Sequence, residues 1–377
     1  MEKIPCFIMR GGTSKAVFFR QEMLPKNAVL REKLILAAMG SPHQRQIDGL
    51  GGADMLTSKV AIIGKSDRVN ADVDYTFCQV GIDSAYVDYN GNCGNISSAV
   101  GLFALEQGLV PITEPVTSVR IYNTNTNTVL VANVSPKFNR GEYLKDCQIS
   151  GVPATGARVD LDFSKTAGAK TGKLLPTGNT VDIMAIKGLG EIQVSFVDVA
   201  NPVVFVNSAD LGLTGLETLA ELESQPKIMN RFEAVRSMAA YRMGFADNLS
   251  TASEVSPALP FLAVVTPPRN ANNGEISLKS TIFTVRRLHK AYAVTGAVCT
   301  AVATRIVGSV ANRASHIILD NYVIIAHPSG TIEIEIGVVQ EGSNYVLTKA
   351  SLSRTARMIM EGNVFIPLVP HKQLDVQ

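Results

Sequence analysis

Two short segments that begin at glycine decide the fold of this chain: Gly94-Asn95-Ile96-Ser97-Ser98-Ala99-Val100 and Gly296-Ala297-Val298-Cys299-Thr300-Ala301-Val302. Each predicts a helix with small or branched apolar residues on every face. A helix without a polar face must be enclosed on all sides, here by curved sheet. Aligned from their first glycines, the two segments match at Gly, Ile/Val, Ser/Thr, Ala and Val. We therefore predict a duplicated unit, one helix inside a shell of strands in each half of the chain. The shared demands of tight packing are an alternative reason for the match.

The shell is predicted from segments rich in β-branched and aromatic residues, which favour strands. These segments are residues 4–9, 16–19, 59–63, 75–80, 118–122, 128–133, 192–197, 203–206, 282–285, 321–326 and 331–339. Helical patterns are fewer, and beyond the two central segments they cover residues 28–39, 216–222 and 226–243. The predicted fold class is α+β with many strands.

The length of 377 residues exceeds the usual size of one hydrophobic core, so two domains of roughly 150–200 residues are expected. The stretch 162–180 is rich in Ser, Gly, Lys and Pro, which places a linker near residues 180–189. We predict a first domain over residues 1–185 with its central helix at about 94–107. The second domain covers residues 186–377, with its central helix at about 296–306. Whether the last strands pair with the first domain is left open.

The composition argues against several classes of partner. A share of 46% hydrophobic and 18% charged residues is typical of a well-buried globular chain. The 35 basic and 33 acidic residues leave a net charge of +2, which provides no basic field for nucleic acid. No apolar stretch reaches the roughly 20 residues that span a bilayer, so no membrane partner is expected.

Exposed strand edges in two domains favour a homodimer.

The five cysteines and the amino terminus indicate the compartment. The cysteines are odd in number, widely spaced and without a CxxC pair, which fits a reducing environment. Only six apolar residues precede Arg10, fewer than a signal peptide needs, and they read as a first strand. We therefore expect a cytoplasmic protein.

Cys93 lies immediately before the first central helix, where unpaired backbone N–H groups and the positive end of the helix dipole converge. This position favours a reactive thiolate and offers N–H donors to a carboxylate or to a developing enolate oxygen. The alternative is that Cys93 is a small apolar residue of the core. The neighbours Gly91, Asn92, Gly94 and Asn95 suit an exposed turn, which favours the functional interpretation.

Two glycine-rich stretches and one lysine are candidates for the same site. Residues 9–15 offer hydroxyl, amide and cationic groups to an anion, and residues 48–54 lead through Thr57 and Ser58 to Lys59. Neither stretch matches a nucleotide-binding motif. At the head of an apolar strand Lys59 would be partly desolvated, which lowers the pKa of an ammonium towards that of a general base. Taken alone, a lysine that extends its amine to water is the stronger alternative.

Metal and hydrolase chemistry find little support. The histidines show no HxxxH or HExxH pattern and no carboxylates cluster at ligand spacing, so no metal is expected. No G-x-S-x-G motif is present for a serine hydrolase. Asn201 ends a strand beside Pro202, where its amide either faces a ligand or forms a simple turn.

Several of these motifs together resemble one family. Met9-Arg10-Gly11-Gly12-Thr13-Ser14-Lys15, Asp48-Gly49-Leu50-Gly51-Gly52, Thr57-Ser58-Lys59, Gly91-Asn92-Cys93-Gly94-Asn95, Leu175-Pro176-Thr177-Gly178-Asn179 and Ala200-Asn201-Pro202 are similar to the 2-methylaconitate cis-trans isomerase (PrpF) family. The matches extend from residue 9 to beyond residue 300. The resemblance implies the diaminopimelate epimerase-like fold, in which two similar barrel-like domains each enclose a helix and the site lies in the cleft between them.

The resemblance also implies a reaction without a cofactor. Members include 2-methylaconitate isomerase, 3-methylitaconate Δ-isomerase and 4-oxalomesaconate tautomerase, which shift a proton or double bond beside carboxylates. By similarity Lys59 and Cys93 hold the positions of the acid/base pair. The implied substrate-binding residues are Ser14, Gly94, Asn95, Asn201, His289, Lys290, Thr295, Gly296 and Ala297.

One departure separates this chain from the racemases of the same superfamily. Those enzymes need a thiol at the head of each central helix, whereas the second helix here is headed by Thr295-Gly296, with Cys299 inside it. An amino-acid racemase or epimerase is therefore the less favoured alternative, and a carboxylate-binding protein without turnover is a third. Arg286, Arg287, His289 and Lys290 lie where the superfamily keeps a carboxylate-binding arginine, and the sequence leaves the choice among them open.

Overall fold

The computed structural model describes residues 2–135, 138–139, 142–143, 146–268, 276–316, 321–342 and 344–367. Within these ranges the chain combines many strands with few helices, and the predicted α+β class is confirmed.

The strands of the first half are β1 (Glu2–Gly11), β2 (Ser14–Arg20), β3 (Lys59–Lys65), β4 (Val73–Val80), β5 (Val87–Asp88), β6 (Thr117–Asn123), β7 (Thr128–Val134), β8 (Phe138–Asn139), β9 (Glu142–Tyr143) and β10 (Ala157–Asp162). Those of the second half are β11 (Asp182–Ile186), β12 (Gly190–Val199), β13 (Asn201–Asn207), β14 (Phe261–Thr266), β15 (Leu278–Thr284), β16 (Arg287–Leu288), β17 (Tyr322–His327), β18 (Gly330–Glu341) and β19 (Asn344–Ile366). The α-helices are α1 (Ala28–Met39), α2 (Gly94–Glu106), α3 (Leu219–Glu223), α4 (Pro226–Arg242), α5 (Ala252–Val255), α6 (Val294–Arg305) and α7 (Val310–Ala314).

Eight strands pair in a closed ring around α2, in the order β1, β2, β3, β4, β6, β7, β10 and β19. Residues 94–105 of the helix are all buried. A helix with apolar residues on every face has no side to offer to water, so the sheet must close around it. The enclosure predicted from the sequence of α2 is therefore present.

The second half repeats the arrangement around α6. From β12 through β13, β14, β15 and β17 to β18, the successive pairings are antiparallel, parallel, antiparallel, parallel and antiparallel. The pairings from β1 through β2, β3, β4 and β6 to β7 have the same sequence. The two halves are therefore duplicated in topology as well as in helix composition.

The long strand β19 connects the two halves. Its first residues pair with β18, its middle with β10 and its last with β1, where Glu2 lies opposite Ile366. A division of the chain into domains at residues 185 and 186 stays a prediction.

The outer faces of the sheets carry helices α1 and α4. The helix α1 begins after Asn27, whose side chain accepts a hydrogen bond from the Leu30 N–H, and ends at Gly40 with φ +68°. Such a left-handed C-cap favours glycine. The two helices cover separate apolar clusters on the outer faces, while α2 and α6 share one inner cluster. The two central helices therefore meet on the inner side of the sheets.

Several predicted elements differ from the structure. The helix α6 begins at Val294, two residues before the predicted start, and residues 216–222 form a helix only over Leu219–Glu223, after the capping Thr218. The predicted linker at 180–189 contains β11. Among the described residues the longest strand covers 344–366, which no local pattern had marked as a strand. It pairs with three strands from distant parts of the chain. In the described ranges no helix has both the length and the apolar character to cross a bilayer.

Candidate active site

A small cavity, partly open to solvent, lies where the N-terminal ends of α2 and α6 meet. One wall comes from β3, β4, β5 and the start of α2. The other comes from β13, β14, the turn after β15 and the start of α6. The predicted site residues that line the cavity are Lys59, Cys93, Gly94, Asn95, Asn201, His289 and Thr295.

The two central helices point their N-termini at this cavity. The N-cap residues are Cys93 for α2 and Ala293 for α6, and neither helix has a side chain that caps its first turn. The first backbone N–H groups of a helix have no partner within the helix. The cavity is therefore bordered by two sets of N–H donors and by the positive ends of two helix dipoles, which favour a bound anion.

Lys59 is buried, with 5% of its surface exposed. Its Nζ donates a hydrogen bond to Gln79 Oε1 at 2.5 Å and lies 4.9 Å from the centre of the Phe77 ring. Burial lowers the pKa of Lys59, and the charges of Cys93 and Asp54 oppose this shift only in part. The neutral amine that a general base requires is thereby favoured. The interpretation of Lys59 as a lysine that extends to water is wrong.

His289 presents a neutral imidazole to the cavity. Its Nδ1 accepts a hydrogen bond from the Ala291 N–H at 3.1 Å, so the hydrogen of the neutral ring is assigned to Nε2. Burial, together with the charge of Lys59, lowers the pKa of His289 to about 3. His289 can therefore donate a hydrogen bond without bringing a charge into the site.

Asp88 is a buried carboxyl group in the same wall. One oxygen accepts the Asn90 N–H at 2.7 Å, while Oδ2 has no hydrogen-bond partner. Burial raises the pKa of Asp88. A buried polar atom without a partner is uncommon in a folded protein, and at a ligand cavity it is available to a bound molecule.

Asn201 joins the two halves beneath the cavity. Its Oδ1 accepts the Asn92 N–H at 3.0 Å, and its Nδ2 donates to the Asn92 carbonyl at 2.8 Å and to Thr295 Oγ1 at 3.0 Å. The side chains of Asn92, Asn201 and Thr295 are all buried. The residue thus holds the start of α2 against the start of α6, and a simple turn does not account for it.

Four predicted binding residues do not line the cavity. Gly296 and Ala297 lie inside the first turns of α6, because the helix begins earlier than predicted. Ser14 is buried at the start of β2, and its Oγ has no partner. Lys290 is exposed and pairs with Asp54 at 2.5 Å. Of the four basic candidates in residues 286–290, only His289 lines this cavity. Arg286 and Arg287 border the adjacent open cleft.

The glycine-rich stretch at residues 9–15 has a packing role. It forms the β1–β2 hairpin, in which Gly12 has φ +51° and lies against Asn95. A Cβ at Gly12 would lie within 3 Å of the Asn95 side chain, so glycine is required there. The Thr13 N–H donates to Asn95 Oδ1 at 3.3 Å. This hairpin therefore positions the first turn of α2, and a role of residues 9–15 in binding an anion stays a prediction.

Four residues that line the cavity were not predicted from the sequence: Gln79, Asp88, Phe261 and Thr284. A usable signal existed only for Gln79, a polar residue on the face of β4 that also carries the buried Val73, Tyr75 and Phe77. Among the described residues, no three His, Cys, Asp or Glu side chains are grouped to hold a metal ion.

Comparisons with known proteins place these features in a family. The family model described as PrpF protein matches residues 1–367. A 3-methylitaconate isomerase from Eubacterium barkeri is 46% identical over 97% of each chain. A 4-oxalomesaconate tautomerase from Pseudomonas putida is 43% identical, over 97% of this chain and 96% of that protein.

The solved structures support the same relationship. The crystal structure of a methylitaconate-delta-isomerase has a TM-score of 0.78 at 45% identity, covering 97% of this chain and 96% of that one. A hydroxyproline epimerase from Agrobacterium vitis has a TM-score of 0.60 at 11% identity, over 96% of this chain and 92% of that one, and shows the fold alone. The expected fold, with two similar sheet-wrapped helices and a cleft between them, is confirmed.

Proposed function

This chain belongs to the PrpF protein family, and we propose that it is a cofactor-independent isomerase of a small unsaturated di- or tricarboxylate such as 2-methylaconitate, 3-methylitaconate or 4-oxalomesaconate. The reaction is a 1,3-proton shift along an allylic system or a cis-trans isomerisation. The observation that carries the proposal is the buried Lys59, whose pKa is lowered, in a cavity that two uncapped helix N-termini share.

Lys59 is the base. As a neutral amine it takes a proton from the allylic carbon, and the electron pair of that C–H bond moves into a dienolate that extends onto the neighbouring carboxylate. The lysine then carries the proton as an ammonium. A general base that is correctly placed contributes about 10²–10⁴-fold to a rate.

The helix N-termini stabilise the negative charge of the intermediate. The uncapped first turns of α2 and α6 provide backbone N–H donors that need not reorient during the reaction. His289 Nε2–H adds a neutral donor to the same wall. A substrate with two or three carboxylates fits such a site better than a neutral substrate does.

The proton returns at the other end of the allylic system. Either the Lys59 ammonium or the Cys93 thiol delivers it, and the double bond closes in its new place. When the thiol delivers the proton, the proton held by Lys59 passes to the Cys93 thiolate and restores both groups. Ala293, the N-cap residue of α6, stands where a second thiol would be needed for racemisation. Cys299 is fully buried and donates to the Val197 carbonyl at 3.3 Å, so it does not provide that thiol.

The test replaces Lys59 by alanine. A panel of unsaturated di- and tricarboxylates is followed by proton NMR in deuterated water, with Lys65→Ala as the matched control because Lys65 ends the same strand and is exposed. We expect Lys59→Ala to fold and to lose about 10²–10⁴-fold in turnover, and Lys65→Ala to behave as wild type. Near-wild-type turnover by Lys59→Ala contradicts the proposal.

The same NMR assay, extended to amino acids, separates the other two functions. A racemase would exchange the α-proton of an amino acid with solvent deuterium, whereas a protein that only binds carboxylates would be stabilised by ligand without deuterium entering it. The five free cysteines support a reducing, cytoplasmic location. A homodimer is also part of the proposal, and light scattering tests it.

A further inference from the structure

Gln79 is the immediate neighbour of Lys59 across the sheet. The antiparallel register of β3 and β4 places the two residues opposite each other, so their side chains lie on the same face. Both are buried, with 5% and 8% of their surfaces exposed. The Lys59 amine donates a hydrogen bond to Gln79 Oε1 at 2.5 Å. This bond therefore determines the position of the amine.

The orientation of the Gln79 carboxamide is itself fixed. Its Nε2 donates to the Ser58 carbonyl at 2.9 Å and to the Met55 carbonyl at 3.3 Å. Rotation of the amide by half a turn would bring its oxygen against the two carbonyl oxygens and turn its NH₂ group towards Lys59. Both hydrogen bonds to the carbonyls would be lost, and two pairs of acceptors would face each other. Oε1 is therefore the atom that faces Lys59.

This arrangement suits a neutral amine. When one N–H of the amine is donated to Gln79, the rotation of the NH₂ group is restricted and its lone pair is left for the cavity. An amide accepts this bond without adding a charge, so burial continues to favour the neutral form. The titratable groups that act on Lys59 from other elements are Cys93 at the start of α2, Asp54 in the loop before β3, and His289 after β16.

The fold does not require a lysine and a glutamine here. In the second half, Phe261 is the first residue of β14 as Lys59 is the first residue of β3. The register that pairs Leu262 with Phe283 brings Thr284 opposite Phe261. Phe261 and Thr284 line the cavity from the facing wall, and Thr284 Oγ1 bonds to the Ala258 carbonyl. The equivalent position of the second half thus holds a phenylalanine and a threonine, so the fold does not dictate the pairing of Lys59 with Gln79.

We propose that Gln79 is the positioning residue for Lys59, and that its carboxamide holds the amine in the orientation from which the amine takes the substrate proton. This inference rests on the proposed role of Lys59 as the base. Gln79 acts through Lys59 and is not assigned a contact with the reacting atoms.

The test measures kcat against pH for the full chain and for Gln79→Glu and Gln79→Met. A carboxylate beside the amine stabilises the ammonium, so in Gln79→Glu the midpoint of the rising limb moves upward by about 1–3 pH units. Activity lost at pH 7 then returns at higher pH. In Gln79→Met the acceptor is absent, so kcat falls about tenfold or more while the midpoint does not move upward.

The control Gln193→Glu adds the same charge at an exposed position of β12, where the side chain contacts Arg313, and leaves the profile unchanged. An unshifted midpoint in a folded Gln79→Glu overturns the proposal, provided that Lys59→Ala is inactive. If Gln79→Glu does not fold, as judged by thermal unfolding, an unchanged kcat in Gln79→Met overturns it. Activity in Lys59→Ala instead removes Lys59 as the base, and the role of Gln79 with it.

Discussion

Gly94→Ala tests whether the spacing of the two central helices controls the reaction. A Cβ at Gly94 would lie 2.5 Å from Val294 Cγ1, 2.8 Å from Val294 Cβ and 3.2 Å from Phe163 Cζ. Carbon atoms in contact are about 3.5–4.0 Å apart, so the first distance is short by about 1 Å. Val294 is buried and β-branched, which leaves it one favoured rotamer in a helix. The starts of α2 and α6 must therefore move apart.

The expected loss of stability follows from this overlap. An extra methyl group in a packed core costs about 1–3 kcal/mol. Alanine recovers roughly 0.4–1 kcal/mol through the lower entropy of the unfolded chain. The net fall in the free energy of unfolding is therefore about 0–2.6 kcal/mol. For a chain of this length that corresponds to a fall in Tm of at most about 3 °C. A displacement of about 1 Å at the reacting groups costs on the order of 10²-fold in rate, so the effect on kcat exceeds the effect on folding.

Thermal unfolding and the isomerisation assay measure both effects. Gly101→Ala is the matched control: it lies on the same helix, and its Cβ would meet Ala132 Cβ of β7 at 2.6 Å, away from α6. We expect the two variants to lose similar stability and Gly94→Ala alone to lose most of its turnover. Wild-type kcat in a folded Gly94→Ala, or an equal loss in Gly101→Ala, refutes the reasoning.

Two further predictions concern neighbouring groups. Cys93→Ser keeps a good N-cap residue, and we expect kcat to fall about 10²-fold while Lys59 still exchanges the allylic proton with deuterium. Isomerisation and exchange are compared by NMR, and an unchanged ratio of the two rates removes Cys93 as a proton donor. For Asp88 the pKa is raised by burial, so the folded state holds the proton more tightly and the carboxyl group lowers stability as the pH rises above its unfolded pKa. Asp88→Asn should therefore raise Tm at pH 7 and lose this advantage in acid; a lower Tm at pH 7 would show that the carboxylate is paired.

Some of the candidate site was predictable because its signals are local. The glycines and small residues around Cys93 indicate the start of a buried helix, and Lys59 at the head of an apolar strand indicates a desolvated amine. Both line the cavity. Lys290 was equally basic in the sequence, yet it pairs with Asp54 on the surface. No local pattern reveals a partner that lies 236 residues away.

The sequence by itself determined the α+β class, the two helices that need enclosure and the candidate base and thiol, since periodicity and residue type act over a few neighbouring residues. The tertiary structure decided which groups meet. Sheet register places Gln79 beside Lys59, the closure of β19 onto β1 completes the ring around α2, and the contact of Gly94 with Val294 brings two helix N-termini to one cavity. These are long-range contacts, and their geometry follows from how strands pair and helices pack, which no short segment specifies.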